Sequence, residues 1–165
     1  MSSEKRKIAY IDGKPYEIGA NHTSILKFVK SYVGEKKVPT LCDDPNLAPY
    51  GACRVCSVEV ALEKDGPTRM VASCHTPVVE NQHIFTSNEA ITSLRKNIVE
   101  LVLTDHPMEC DSCEVNNNCE LQTVANDLGI SDHRYNSPKQ HKGIPRDTSH
   151  DYMRMNLDNC INCGR

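Results

Sequence analysis

The sequence predicts an α+β fold in which one helix packs on a small mixed sheet. Residues 6–19 read as a β-hairpin, and apolar residues recur at helical spacing over 23–33. Strand-like stretches follow at 55–61 and 69–74. Two strands, a helix and two further strands, in that order along one chain, are typical of an α+β domain.

The predicted hairpin turns at Asp12-Gly13, a dipeptide that favours the tight turns of hairpins. The predicted helix ends at Gly34, since glycine commonly terminates helices. Its apolar face consists of six residues: Ile25, Leu26, Phe28, Val29, Tyr32 and Val33. The later two strands are joined by a predicted turn at 64–67, where Gly66 and Pro67 stand together.

A second helix is predicted by a capping box and an apolar stripe. Thr86 and Glu89 have the spacing in which each side chain caps the other's backbone N–H. The predicted stripe consists of Ile91, Leu94, Ile98, Leu101 and Val102. The helix should end at His106-Pro107, because a residue before proline avoids the helical region. A short helix over 119–128 and a polar loop over 131–151 complete the predicted elements.

Composition favours metal binding over several other functions. The 165 residues include nine cysteines, no tryptophan and two phenylalanines, so a small core is expected to need stapling by metal. The net charge of −3 argues against nucleic-acid binding, which needs a basic surface. With neither a signal peptide nor a membrane-spanning stretch in view, we expect a cytoplasmic chain whose thiols stay reduced, without direct membrane insertion.

The first cysteine set has the spacing C-x10-C-x2-C-x17-C and consists of Cys42, Cys53, Cys56 and Cys74. Four thiolates complete a 2Fe–2S centre. Small residues before Cys53, Gly51 and Ala52, would let backbone N–H groups approach the cluster. The alternative is a structural zinc site in an interaction module without a redox role, although zinc usually takes two close C-x2-C pairs.

The second set has the spacing H-x3-C-x2-C-x5-C and consists of His106, Cys110, Cys113 and Cys119. Three thiolates and one imidazole could hold a 4Fe–4S cluster, and the run 116–118 of asparagines could turn tightly. Two alternatives stay open from the residues alone. His106 could serve only the dipole of the preceding helix, and three cysteines with one histidine also suit zinc.

Cys160 and Cys163 form a close pair near Arg165 and have the spacing with which ferredoxin-type 4Fe–4S sites begin. Two cysteines cannot complete a cluster, so we expect them to be unligated here and the motif to continue beyond Arg165. The alternative is a redox-active pair of a thiol–disulfide enzyme. A structural or solvent-exposed role is expected for His22, His75, His83, His133, His141 and His150. His75, beside Cys74, is the exception that could donate a hydrogen bond near the first cluster.

Motifs for substrate chemistry are missing from the sequence. It contains no G-x-G-x-x-G loop, no phosphate-binding P-loop and no nucleophile elbow. We therefore predict no catalytic residue in this segment, with substrate chemistry located elsewhere in the oxidoreductase.

The three motifs together resemble the N-terminal region of the large iron–sulfur subunit of bacterial NADH:quinone oxidoreductase. The same region occurs in NAD-linked formate dehydrogenases, iron-only hydrogenases and diaphorase subunits of NAD-reducing hydrogenases. The resemblance covers about Ile8 to Arg165 and is most specific at 39–42, 51–56 and 106–122. The stretches 72–78 and 104–107 are most similar to formate dehydrogenases.

The resemblance implies a β-grasp, 2Fe–2S ferredoxin-like domain over 5–87, with the first cysteine set as ligands. It implies a helical 4Fe–4S segment over 88–135, with His106 and three cysteines as ligands, and a linker with the start of a ferredoxin-type 4Fe–4S domain over 136–165. The implied function is an electron relay between a flavin site and another redox centre. Its partners would be a flavin- and NAD-binding subunit and other redox subunits, in the cytoplasm or at the cytoplasmic face of a membrane complex.

Overall fold

The computed structural model describes residues 6–135 and 143–165. Within them the chain forms two compact units, one extending to Arg95 and the other covering 96–164. In the described residues, no helix combines the length and apolar character needed to cross a membrane.

The first unit begins with the predicted hairpin. Strand β1 (Ile8–Ile11) pairs antiparallel with β2 (Lys14–Glu17), and Ile11 lies opposite Lys14. The turn residues Asp12 and Gly13 have φ angles of 47° and 82°. Both angles lie in the left-handed region, which aspartate and glycine tolerate better than most residues, and the hairpin prediction is confirmed.

The sheet has five strands, one more than the sequence predicted. Strands β3 (Ser57–Ala61) and β4 (Arg69–Ala72) fall within the two predicted stretches. Strand β5 (His83–Phe85) was missed, although it lies in the middle of the order β2-β1-β5-β3-β4. It runs parallel to β1 and antiparallel to β3, so the sheet is mixed as predicted. Three residues are too few to show a strand periodicity.

Helix α1 (Ile25–Val33) packs its apolar face into the core. The Ser24 Oγ accepts a hydrogen bond from the Lys27 N–H at its start, and Gly34 follows its end with a φ of 105°. Four of the six predicted face residues are buried, whereas Tyr32 and Val33 are exposed. Together the helix and sheet form the predicted α+β, ferredoxin-like fold.

Helix α2 (Glu89–Thr104) begins differently from the prediction. The capping box was wrong: Asn88 caps the helix, its Oδ1 accepting from the Ile91 N–H at 2.8 Å. Thr86 instead donates to Asp12, through its N–H at 2.8 Å and its hydroxyl at 2.6 Å. A carboxylate on the hairpin turn offers Thr86 charge-assisted hydrogen bonds, which are stronger than a neutral cap.

The predicted apolar stripe of α2 is only partly buried. Ile91 is buried as expected, but Leu101 is 55% exposed, and Val99 and Leu103 are buried instead. The helix ends two residues before His106, as the following proline requires.

The second unit consists mainly of short elements. A 3-10 turn covers Cys110–Ser112, and helix α3 (Glu120–Asp127) lies within the predicted range 119–128. Beyond residue 142 the chain is irregular except for one bridge between Asp147 and Met155 and a 3-10 turn at Leu157–Asn159. Part of the predicted loop over 131–151, together with His141, lies outside the described residues.

Candidate iron–sulfur centres

The first cysteine set converges at one end of the sheet. Cys56 immediately precedes β3 and Cys74 follows β4, and the register Ser57↔Ala72 brings these strand ends together. Both thiols are 1% exposed, and Cys42 is 4% exposed. Cys53 is partly buried. The strands therefore position two of the four cysteines, and loops bring the other two to them.

The four thiols meet as two hydrogen-bonded pairs. The side chain of Cys74 is bonded to that of Cys56, and the side chain of Cys42 to that of Cys53. A charge interaction between Cys42 and Cys74 links the two pairs. The structure thus brings together all four residues that the sequence selected.

Hydrogen bonding makes the two thiols of the buried pair titrate differently. The pKa of Cys56 is lowered to about 6, first by the hydrogen bond from Cys74 and further by bonds from Ser73 and the Cys74 backbone, while burial acts in the opposite direction. The same side-chain bond, followed by burial, raises the pKa of Cys74. One thiolate is therefore already favoured at this position, and thiolates are the ligands that iron–sulfur clusters use.

Ser73 is a supporting residue that sequence reasoning missed. It is fully buried, and its hydroxyl donates to the Cys56 carbonyl at 2.7 Å. Its backbone N–H reaches the same carbonyl at 3.3 Å. The only signal in the sequence was its position beside Cys74.

The loop before Cys53 has the tight conformation that its small residues predicted. Gly51 has a φ of 69°, and Arg54 also adopts a positive φ, of 62°. A Cβ at Gly51 would lie 3.4 Å from the His75 ring. His75 is exposed beside this loop, and its hydrogen bond near a cluster stays a prediction.

The second set lies on turns between α2 and α3. His106 follows α2, and its backbone N–H donates to the Leu103 carbonyl at 3.3 Å. Cys110 opens the 3-10 turn, whose end is closed by the Cys113 N–H donating to the Cys110 carbonyl at 3.1 Å. Cys119 occupies the position before α3. All three cysteines are partly buried, in contrast to the buried thiols of the first set.

The asparagine run turns tightly, as predicted. Asn117 has a φ of 61°, in the left-handed region that asparagine tolerates. The Gln122 side chain holds this turn: its Oε1 accepts from the Asn117 N–H at 2.8 Å, and its Nε2 donates to Asn116 at 2.9 Å. Gln122 thereby connects the turn before Cys119 to helix α3.

Cys160 and Cys163 lie in the second unit after the Leu157–Asn159 turn. Cys160 is exposed and Cys163 partly buried. The Asn162 N–H lies 3.4 Å from the Cys160 Sγ. All nine cysteines lie in the described part of the chain, and none of them is in a disulfide there.

The remaining described histidines make local contacts: His22, His83, His133 and His150. The His83 ring, for example, stacks on Tyr10 with 4.4 Å between ring centroids.

Within residues 6–135 and 143–165, no group of three or more histidine, cysteine or acidic side chains is arranged around one metal ion. An iron–sulfur cluster does not need such a group, because its ligands are distributed over two or four irons. A tetrahedral zinc site would require one.

Two family models match the chain. Residues 8–89 match a 2Fe–2S iron–sulfur cluster binding domain. Residues 95–134 match the NADH-ubiquinone oxidoreductase-G iron–sulfur binding region.

Curated relatives are larger oxidoreductase subunits. The chain is 33% identical over 153 residues to the alpha subunit of the NADPH-Fe(3+) oxidoreductase of Geobacter sulfurreducens, covering 93% of this chain and 17% of that protein. It is 31% identical over 159 residues to the G-type subunit of the NADH-quinone oxidoreductase of Buchnera aphidicola, covering 94% and 17%. An NADP-reducing hydrogenase subunit of Solidesulfovibrio fructosivorans is 34% identical over 161 residues, covering 94% and 26%. The chain thus spans about a fifth of these proteins.

A solved structure agrees with these relatives. The crystal structure of an NAD+-reducing [NiFe]-hydrogenase in the H2-reduced state matches with a TM-score of 0.80 and 25% identity, over 96% of this chain and 63% of that one. The chain therefore belongs to the iron–sulfur family in which a 2Fe–2S cluster binding domain precedes the NADH-ubiquinone oxidoreductase-G iron–sulfur binding region, and it is an electron-transfer segment of an oxidoreductase.

Proposed function

We propose that Cys42, Cys53, Cys56 and Cys74 hold the 2Fe–2S cluster of this segment. The observation that carries the proposal is the convergence of these four thiols as two linked pairs at one end of the sheet. Two pairs suit a cluster of two irons, because each iron needs two protein ligands besides the shared sulfides.

We propose further that His106, Cys110, Cys113 and Cys119 hold the 4Fe–4S cluster. All four lie on a short segment between two helices, and residues 95–134 match an iron–sulfur binding region. The turn closed by Gln122 brings Cys119 to the start of α3, which supports a compact ligand set. Cys160 and Cys163 remain the proposed opening of a third site.

The chain then serves as an electron relay inside a larger enzyme. When bound, the clusters accept and pass on single electrons, and the protein contributes their spacing, burial and electrostatic surroundings. The names of the relatives support an NADH- or NADPH-linked parent enzyme. Formate dehydrogenase stays a prediction as the parent, and so does a cytoplasmic location.

The partner we propose is a flavin-bearing subunit that docks near the first cluster. The loop between Cys42 and Cys53 exposes Leu47 by 46% and Tyr50 by 50%. Exposed apolar side chains beside a redox centre would let a partner approach it closely and exclude water.

The test is metal analysis of the chain purified without oxygen. We expect iron and acid-labile sulfide, visible colour, and two distinguishable paramagnetic signals after reduction. Stoichiometric zinc without iron would instead establish the structural zinc module. Iron accompanied by only one type of signal would overturn the assignment of one of the two sites.

A further inference from the structure

Arg95 is a buried cation in the first unit. Its side chain belongs to α2, and the residue is only 5% exposed. The Nη2 group donates to the Ser57 carbonyl at 2.8 Å. Its Nε is also buried, and the described residues offer this group no hydrogen-bond acceptor.

A buried guanidinium is costly unless an anion compensates for it. No carboxylate in the described part of the chain forms an ion pair with Arg95; the five pairs found there join other residues. The protein therefore keeps a positive charge inside the fold without the usual acidic partner. Such an arrangement calls for another source of negative charge.

The first cysteine set provides that source. Ser57, whose carbonyl Arg95 binds, directly follows Cys56. Burial lowers the pKa of Arg95 to about 10, and the attraction of Cys56 acts in the opposite direction. The guanidinium thus stays protonated at neutral pH, with Cys56 as the charged group that acts on it.

We propose that Arg95 is the fixed counter-charge of the 2Fe–2S cluster and raises its reduction potential. The inference rests on the proposed function, since it needs a cluster on Cys56. Reduction adds one electron to the cluster while no bond forms or breaks, so the reduced form carries one more negative charge. A buried cation nearby favours that form, because charges interact strongly away from water.

The test is a redox titration of the 2Fe–2S signal in the full chain with both clusters bound, comparing R95Q and R95K with the unchanged protein. At a fixed solution potential we expect R95Q to raise the oxidised-to-reduced ratio about tenfold, which corresponds to about 59 mV for a one-electron couple. R95K, which keeps the charge, should retain more than half of the potential difference.

The matched control is R69Q. Arg69 is an exposed residue of the same type on the edge strand β4, so this variant changes the net charge equally. Water and salt screen an exposed charge, and its removal should leave the potential nearly unchanged. An equal shift in R69Q and R95Q would overturn the proposal.

R95M provides a second neutral variant if R95Q does not retain its cluster, because methionine adapts to irregular buried space. Loss of the cluster in both neutral variants with retention in R95K would support the counter-charge. Equal potentials in R95M and the unchanged chain, equal falls in R95K and R95Q, or loss of the cluster in all three variants would overturn it. Absence of a 2Fe–2S signal from the unchanged chain would instead refute the proposed function itself.

Discussion

The two proposed cluster sites differ in what holds their ligands before any metal binds. In the first, Cys56 and Cys74 sit at the ends of paired strands β3 and β4, and both are almost fully buried. In the second, the three cysteines lie on short turns and remain partly exposed. The first site is organised by the core of its domain, whereas the second is organised by local hydrogen bonds.

This difference has an energetic consequence. A sheet with a packed core retains most of its stability without a bound cofactor, since burial of apolar side chains is the main driving force of folding. Turns with little core depend much more on metal–ligand bonds for their stability. We therefore expect the second site to be the one whose structure is coupled to its cluster.

The largest expected effect is on cluster occupancy after removal of one buried ligand. C56S should abolish the 2Fe–2S signal and reduce the iron content by roughly two atoms per chain, while the 4Fe–4S signal remains. Electron paramagnetic resonance and iron analysis measure both. The matched control is C160S, which removes an exposed thiol outside the two proposed sites and should leave both signals unchanged. Retention of the 2Fe–2S signal in C56S would contradict the ligand assignment.

Iron removal should separate the two regions directly. After treatment with a chelator under reducing conditions, we expect slow amide hydrogen exchange to persist in β1, β3 and β5. Residues 106–119 should lose their protection, because few buried contacts hold them without metal. Equal loss in both regions would show that the sheet also depends on its cluster and would remove the contrast between the sites.

The histidine gives the second site a distinctive charge. Replacing His106 by cysteine adds a negative charge to the proposed ligand set and should disfavour the reduced cluster. For H106C we expect about a tenfold shift of the oxidised-to-reduced ratio at fixed potential, equivalent to about 59 mV. A redox titration of the 4Fe–4S signal measures it, with H150A, at an exposed position, as the control. An unchanged potential would indicate that His106 is not a ligand.

The smallest effect should come from the turn before Cys119. Q122L removes two hydrogen bonds, each contributing about 1 kcal/mol to stability. Because these bonds hold residues 116 and 117, we expect the 4Fe–4S signal to decay a few-fold faster in air, with the 2Fe–2S signal unaffected. N126A, at an exposed position of the same helix, is the control. Decay at the same rate in Q122L and N126A would show that the turn does not protect the site.

Much of the fold was predictable because its signals are local. The hairpin depends on two turn residues that tolerate positive φ angles, Asp12 and Gly13. Helix α1 depends on apolar residues at helical spacing and on the terminating Gly34. The asparagine turn depends on the side chain of Asn117, which accepts a left-handed backbone.

The sequence alone determined these local elements and the cysteines selected as ligands, since turn preference, helical periodicity and ligand spacing are properties of neighbouring residues. The tertiary structure decided which long-range partners won. Strand β5 exists because β1 and β3 supply its hydrogen bonds from both sides, and Thr86 binds Asp12 rather than capping α2. The same kind of long-range contact brought Arg95 to Ser57, because folding places groups together according to packing and charge and not by their distance along the chain.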